Sequence, residues 1–150
     1  MSETLLLQGA SDLFDSAGAA EAFLLGRLLF GFVLAFMGLN HFVQTDAMAG
    51  YAEAKGLPAP RLGVLLSGGL LAFGGLGIAA GAFVTLAAGA LATFLLVSAV
   101  VFHDFWAVPE DQQRDEMTAF LKNVVMTGGA TALLGLASSP WPYALGVSLL

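Results

Sequence analysis

Long apolar runs, broken by short polar segments, dominate this chain. Residues 62–102 contain no Asp, Glu, Lys or Arg at all. A helix needs roughly 20 apolar residues to cross the hydrocarbon layer of a bilayer. This run therefore predicts two crossing helices, over residues 62–81 and 85–102, joined by a tight turn near Gly81 to Thr85. Another span fits residues 22–43, interrupted only by Arg27, Asn40 and His41. A fourth is expected over residues 119–137, with Lys122 and Asn123 in its opening turns. Helices satisfy their own backbone hydrogen bonds, as hydrocarbon demands. Barrel strands do not fit, because apolar/polar alternation is absent and the runs are too long. The predicted fold is all-α, an integral membrane four-helix bundle forming one domain over residues 1–150.

The breaks support this division. Leu57-Pro58-Ala59-Pro60 delivers the chain into the second span, since proline disfavours helix at the residue before it. Ser138-Ser139-Pro140-Trp141-Pro142 stops the fourth, and Trp141 and Tyr143 suit the aromatic belt at a membrane interface. A polar loop is expected over residues 44–61 and an acidic loop over about residues 104–118. Within the first of these, Tyr51 and Lys55 are four residues apart, so a helical turn there would present both on one side. Ahead of the first span, residues 5–14 read as a short interfacial helix. Ala47-Met48-Ala49 has the small-x-small form of a signal cleavage site, but the preceding tail is acidic and the apolar run is longer than a signal peptide's. The first span is therefore read as retained.

Composition narrows the functions. The chain is 58% hydrophobic and 11% charged, with a mean hydropathy of +0.86, whereas soluble domains carry about 25% charged residues. Five Lys+Arg against eleven Asp+Glu exclude a nucleic-acid binder, which needs clustered positive charge. With no cysteine, thiol redox chemistry, disulfides and thiolate metal sites are excluded within the chain. Lys55, Arg61, Arg114 and Lys122 fall on the face carrying the longer loops, and only Arg27 lies towards the other. Positive-inside counting puts those loops in the cytoplasm and both termini outside, in a multi-pass protein of the cell membrane.

Glycines crowd the second span, at Gly63, Gly68, Gly69, Gly74, Gly75, Gly77 and Gly81. In lipid such residues let helices approach closely, which predicts a central helix; the alternative is a helix loosened around Gly74 to Gly77. On the first span Arg27, Gly31, Leu34, Gly38 and His41 form one stripe, expected to face the bundle. Arg27 and His41 sit at opposite ends of it, roughly 21 Å apart.

Antiparallel alternation should bring Asn40, His41, His103, Asp104, Trp106, Lys122 and Asn123 to one depth at the loop face. Intramembrane polar groups facing a bundle are functional candidates. Each also has a structural explanation. A histidine can serve a helix C-terminus, Asp104 can pair with Lys122, Lys122 can snorkel to water, and Trp106 can anchor at the interface. Asn123 can tie the bundle together. Arg27 either snorkels to lipid phosphate or binds a ligand from the outer side. Two histidines at one depth could ligate a haem iron, but no metal site is expected. No nucleophile–base triad or dinucleotide fingerprint is present.

At these residues the chain resembles the DoxX family of small four-helix membrane proteins. The resemblance runs over about residues 26–136. It is carried by Arg27 opening the first helix, Gly38-Leu39-Asn40-His41-Phe42 closing it, Gly56-Leu57-Pro58-Ala59-Pro60, and Ser67-Gly68-Gly69 through Gly77. His103-Asp104-Phe105-Trp106, Phe120-Leu121-Lys122-Asn123 and Gly128-Gly129 continue it. The resemblance implies association with membrane oxidoreductase complexes or quinone-linked oxidation. One departure stands out. Many members carry a glutamate before the glycine-rich stretch of the second helix, and none occurs in Ser67-Gly68-Gly69-Leu70-Leu71-Ala72-Phe73-Gly74-Gly75. A role carried by that glutamate, such as proton transfer, does not pass to this chain.

The expectation is a subunit of a redox or quinone-linked membrane complex, with a protein partner and a quinone headgroup held at the loop-face cluster. Enzymatic activity of the chain alone is left open, as is homo-oligomerisation. A quinone needs apolar walls and one or two hydrogen-bond donors for its carbonyls. His41, His103, Asn123 and Lys122 offer donors; Phe42, Phe105 and Trp106 offer walls. The alternatives are a non-catalytic chaperone or assembly factor, and a small-solute or proton pathway.

Overall fold

A computed structural model describes residues 12–148. After a single 3-10 turn at Asp12–Phe14, five α-helices follow: α1 (Ala19–Val43), α2 (Thr45–Ala54), α3 (Pro60–Ala80), α4 (Val84–Phe102) and α5 (Glu110–Gly135). Apart from that turn, the expected interfacial helix over residues 5–14 lies outside the described residues. The fold is all-α, and three helices (α1, α3 and α4) are long and apolar enough to cross a membrane. Their outward faces agree, since Phe73, Leu66 and Phe36 stand 78%, 65% and 64% exposed, as lipid-facing side chains do.

Three expectations are corrected. The fourth span over residues 119–137 exists as part of α5, but α5 is not apolar enough to belong to the crossing class. Its opening turns are acidic, and Lys122, Asn123, Thr127 and Thr131 dilute the rest; the two threonines donate to the carbonyls of Asn123 and Thr127, one turn back. The polar loop over residues 44–61 is largely helix α2, and the acidic loop over residues 104–118 gives way to helix at Glu110, directly after Pro109. Both segments looked like connectors because their polarity is high; helix formation in each is secured by packing on neighbours.

Helix α3 is the centre, touching α1, α2 and α4. It runs unbroken from Pro60 to Ala80, so its glycines do not interrupt it. The α1–α3 contact brings the two backbones together at glycines. A Cβ on Gly31 would meet the carbonyl of Gly75 and lie 2.8 Å from the Ala79 nitrogen. One on Gly38 would lie 2.5 Å from the Ala72 nitrogen and 2.6 Å from the Gly68 carbonyl. The stripe read from the sequence does face inward, with Arg27, Gly31, Leu34 and Gly38 buried and His41 half-buried. Gly63 and Gly69 take no part: a Cβ at either meets nothing within 4 Å.

A second seam joins α4 to α5. Leu91, Ala88 and Ala99 of α4 and Ala130 of α5 are fully buried, and Phe30 of α1 rests against Gly129 of α5. Between α3 and α4 the chain reverses through Gly81, whose φ of 64° lies in the left-handed region that glycine adopts at no steric cost. This turn falls where the even division of the apolar run put it.

Candidate functional site

The loop-face end of the bundle carries two separate polar sets. The larger is assembled by α2, which brings Tyr51 and Lys55 over the ends of α4 and α5. Tyr51 donates its hydroxyl to the carbonyl of Phe102 at 2.8 Å and lies 3.4 Å from Oε1 of Glu116. Its ring stacks on Phe102, centroids 6.1 Å apart. Lys55 forms an ion pair with Asp104 and sits 5.7 Å from the Tyr51 ring centroid. His103 Nδ1 lies 2.9 Å from Oε2 of Glu116. One carboxylate, Glu116, thus joins the tyrosine and the histidine.

The i, i+4 spacing of Tyr51 and Lys55 does present both residues to the cluster. Asp104 pairs with Lys55 rather than with Lys122, which is exposed. Glu116 was hidden in the acidic run, where it read as part of a solvated connector. A signal was available: Glu116, Phe120 and Asn123 fall on one helical face once helix is extended back to Pro109.

The smaller set belongs to α1 and α3. His41 Nδ1 is 2.9 Å from Oγ of Ser67, and that hydroxyl donates to the Val64 carbonyl at 2.9 Å. With its proton so committed, Ser67 accepts from the Nδ1–H of His41. Thr45 closes α1 by donating to the carbonyls of His41 and Phe42 at 2.8 and 2.9 Å. No hydrogen bond among the described residues links His41 to His103, so the single expected cluster resolves into two at one end. Asn40 is half-buried, and Asn123 is buried in α5. Trp106 is exposed but joins Phe105 and Phe120 in an edge-to-face trio, with centroids 5.1 to 5.8 Å apart. Among the described residues, no group of three His, Asp or Glu side chains is placed to hold a metal ion.

Burial, together with the neighbouring Glu116, raises the Tyr51 hydroxyl above its ordinary pKa, so it stays a donor at neutral pH. The hydrogen bond to Lys55 holds Asp104 below the usual carboxylate range, and the same bond lifts Lys55 above the usual lysine range. The Asp104 contribution to α2 docking is complete above its unfolded pKa of about 3.9 and lost as pH falls through the lower folded value. That of Lys55 is complete below about 10.4 and lost as pH rises through the higher folded value. The protection of the α2 amides, taken relative to free-peptide exchange at each pH, is therefore expected to be level from about pH 5 to 9 and to fall below about pH 4. In Asp104→Asn the acid limb should vanish.

At the opposite end the structure corrects the reading of Arg27. It does not snorkel: it is 2% exposed, and Nη2 donates to the Tyr143 carbonyl at 2.6 Å. Its guanidinium lies 5.7 Å from the Trp141 ring centroid, and Nε and Nη1 have no hydrogen-bond partner. Trp141 is buried beneath the bundle end, and its Nε1 donates to the Leu136 carbonyl at 2.9 Å. Tyr143, in contrast, is exposed and donates to Glu21 at 3.2 Å. The C-terminal segment is stitched across the α3–α4 turn by backbone bonds from Leu145 to Ala80, Gly146 to Gly81, and Phe83 to Val147. Arg27 therefore stands apart from the other candidate residues.

The family model for DoxX matches residues 22–104, from the first turns of α1 to the residue that anchors Lys55. The motifs on α5 lie beyond the matched stretch. No curated protein and no solved structure matches the chain. The match takes in more than half of the sequence, including Arg27, Gly38 to Phe42, the glycine-rich α3 and His103-Asp104, and the chain belongs to the DoxX family.

Proposed function

We propose that this chain is a small multi-pass subunit of a redox, quinone-linked membrane complex, and that its loop-face cluster receives a quinone headgroup. Family membership supports the redox setting, since DoxX proteins are often linked to oxidoreductase complexes. The observation that carries the site is the convergence of Tyr51, Lys55, Asp104, His103 and Glu116 beside the aromatic rings of Phe102, Phe105, Trp106 and Phe120. Donors and flat apolar walls at one membrane edge are what a quinone ring requires. Asn40, His41, Lys122 and Asn123 would line the approach at the same depth.

Reduction of a quinone takes two electrons and two protons. The electrons would come from the partner oxidoreductase, the His103–Glu116 pair would supply the proton for the carbonyl oxygen nearest it, and water at the membrane edge would supply the one for the other oxygen. Loops facing the cytoplasm, as the distribution of Lys and Arg favours, would put this exchange on the cytoplasmic side.

Purification in mild detergent, with mass spectrometry of co-eluting proteins and quinones, tests the reading. Quinone is expected with the wild type and reduced about tenfold, or ~1.4 kcal/mol, in His103→Ala and Glu116→Gln. Quinone-free wild type, or full retention in both variants, would overturn it. A stoichiometric client protein with no redox molecule would instead mark an assembly factor.

A further inference from the structure

An apolar groove runs beside α4, bounded by Val84, Ala90, Phe94 and Val97 on the helix and by Trp141 and Val147 of the C-terminal segment. Its volume is about 1130 Å³, beyond the ~300–1,000 Å³ of ordinary small-molecule sites. Its lining extends from Phe83 to Val97, roughly 21 Å along the helix axis. Because α4 has the length and apolarity of a membrane span, a groove along it lies at the depth of the acyl chains. One end is polar, with Thr85, Ser138 and Ser139 in the wall.

Gly81 and Trp141 belong both to this wall and to the surroundings of Arg27. A Cβ on Gly81 would lie 2.5 Å from Nη1, and the Trp141 ring lies against the guanidinium. The ion pairs of the described residues are Lys55–Asp104, Arg61–Asp46 and His103–Glu116, so Arg27 has no carboxylate partner among them. A buried guanidinium with two unpartnered nitrogens is poorly compensated. The edge that carries Nε and Nη2 has the fork geometry that matches a phosphate, which can accept from both once Nη2 is released. The one oxygen it does have belongs to Tyr143, a non-glycine residue at φ 56°. That strained residue is the point where a backbone rotation would withdraw the carbonyl.

We propose that this groove binds an anionic phospholipid, with acyl chains along α4 and the phosphate taken by Nε and Nη2 of Arg27 as the segment around Tyr143 swings aside. The site lies at the opposite end from the loop-face cluster and does not depend on the quinone reading.

The test compares phosphatidylglycerol with phosphatidylcholine of the same chains, added to the detergent-purified full chain. Lipid adducts are counted by native mass spectrometry and melting is followed in parallel. The wild type is expected to retain phosphatidylglycerol preferentially and to melt higher with it. Arg27→Gln should weaken that retention about tenfold, while Arg27→Lys keeps part of it. Thr93→Trp fills the exposed middle of the groove without touching Arg27, so it keeps the test open if Arg27→Gln fails to fold. It should remove the preference as well. Equal retention of the two lipids by the wild type, or a preference undiminished in Thr93→Trp, would overturn the proposal. A quinone found in the groove in place of lipid would do the same.

Discussion

Gly75→Leu is expected to leave almost no monodisperse protein in mild detergent, while Gly69→Leu, six residues earlier on the same helix, behaves as wild type. The difference lies in what a side chain would meet. At Gly75 a Cβ runs into the Gly31 carbonyl and lies 2.7 Å from the Ala35 nitrogen, both backbone atoms of a rigid helix. Neither can rotate away, so α1 and α3 must separate along their whole contact. Overpacking typically costs about 1–3 kcal/mol even where neighbours yield, and here they cannot. Lipid tails are as apolar as leucine, so no hydrophobic drive restores a contact once close packing is lost. At Gly69 a Cβ meets nothing within 4 Å, and the new side chain projects freely. Size-exclusion profiles after a heating series would check the pair; comparable losses in both would contradict this account of the α1–α3 seam.

Leu91→Ala is expected to be the most damaging truncation in the interior, lowering stability by about 2–5 kcal/mol. Leu91 is 0% exposed and stands directly over Gly74, where a Cβ would lie 2.9 Å from its Cγ. Gly74→Ala alone should also destabilise, by pressing on that side chain. Together the two changes are expected to cost less than the sum of their separate effects, because the added methyl occupies part of the void. Strict additivity in unfolding measurements would mean that the void collapses by another route.

Much of the architecture was legible because membrane insertion imposes a coarse rule on sequence. The absence of charge over residues 62–102 sets two helices and the turn at Gly81. The stripe Arg27–Gly31–Leu34–Gly38 names the buried face of α1, since lipid penalises the charge and packing rewards the glycines. The same rule misleads where polar residues are frequent. Helix α2 and the opening of α5 are helical through contacts with other helices, so hydropathy reads them as loops. Glu116, on the opening turns of α5, therefore carries no hydropathy signal of its role, although it joins Tyr51 to His103. Helix ends place the candidate residues near the loop face, but not their partners, since a hydrogen bond joining residues 13 apart leaves no periodic trace.

By itself the sequence determined an all-helical membrane protein, three of the four spans expected of it and the inward face of its first helix. These follow from one-dimensional quantities, namely run length, charge and a fixed turn per residue. Only the tertiary structure decided that Asp104 meets Lys55, that His41 and His103 serve different networks, and that the C-terminal segment closes over Arg27. Each of those depends on how separate helices rotate and slide against one another. That rotation is set by which backbone atoms can come close at Gly31, Gly38 and Gly75, and such closeness is a property of two surfaces together.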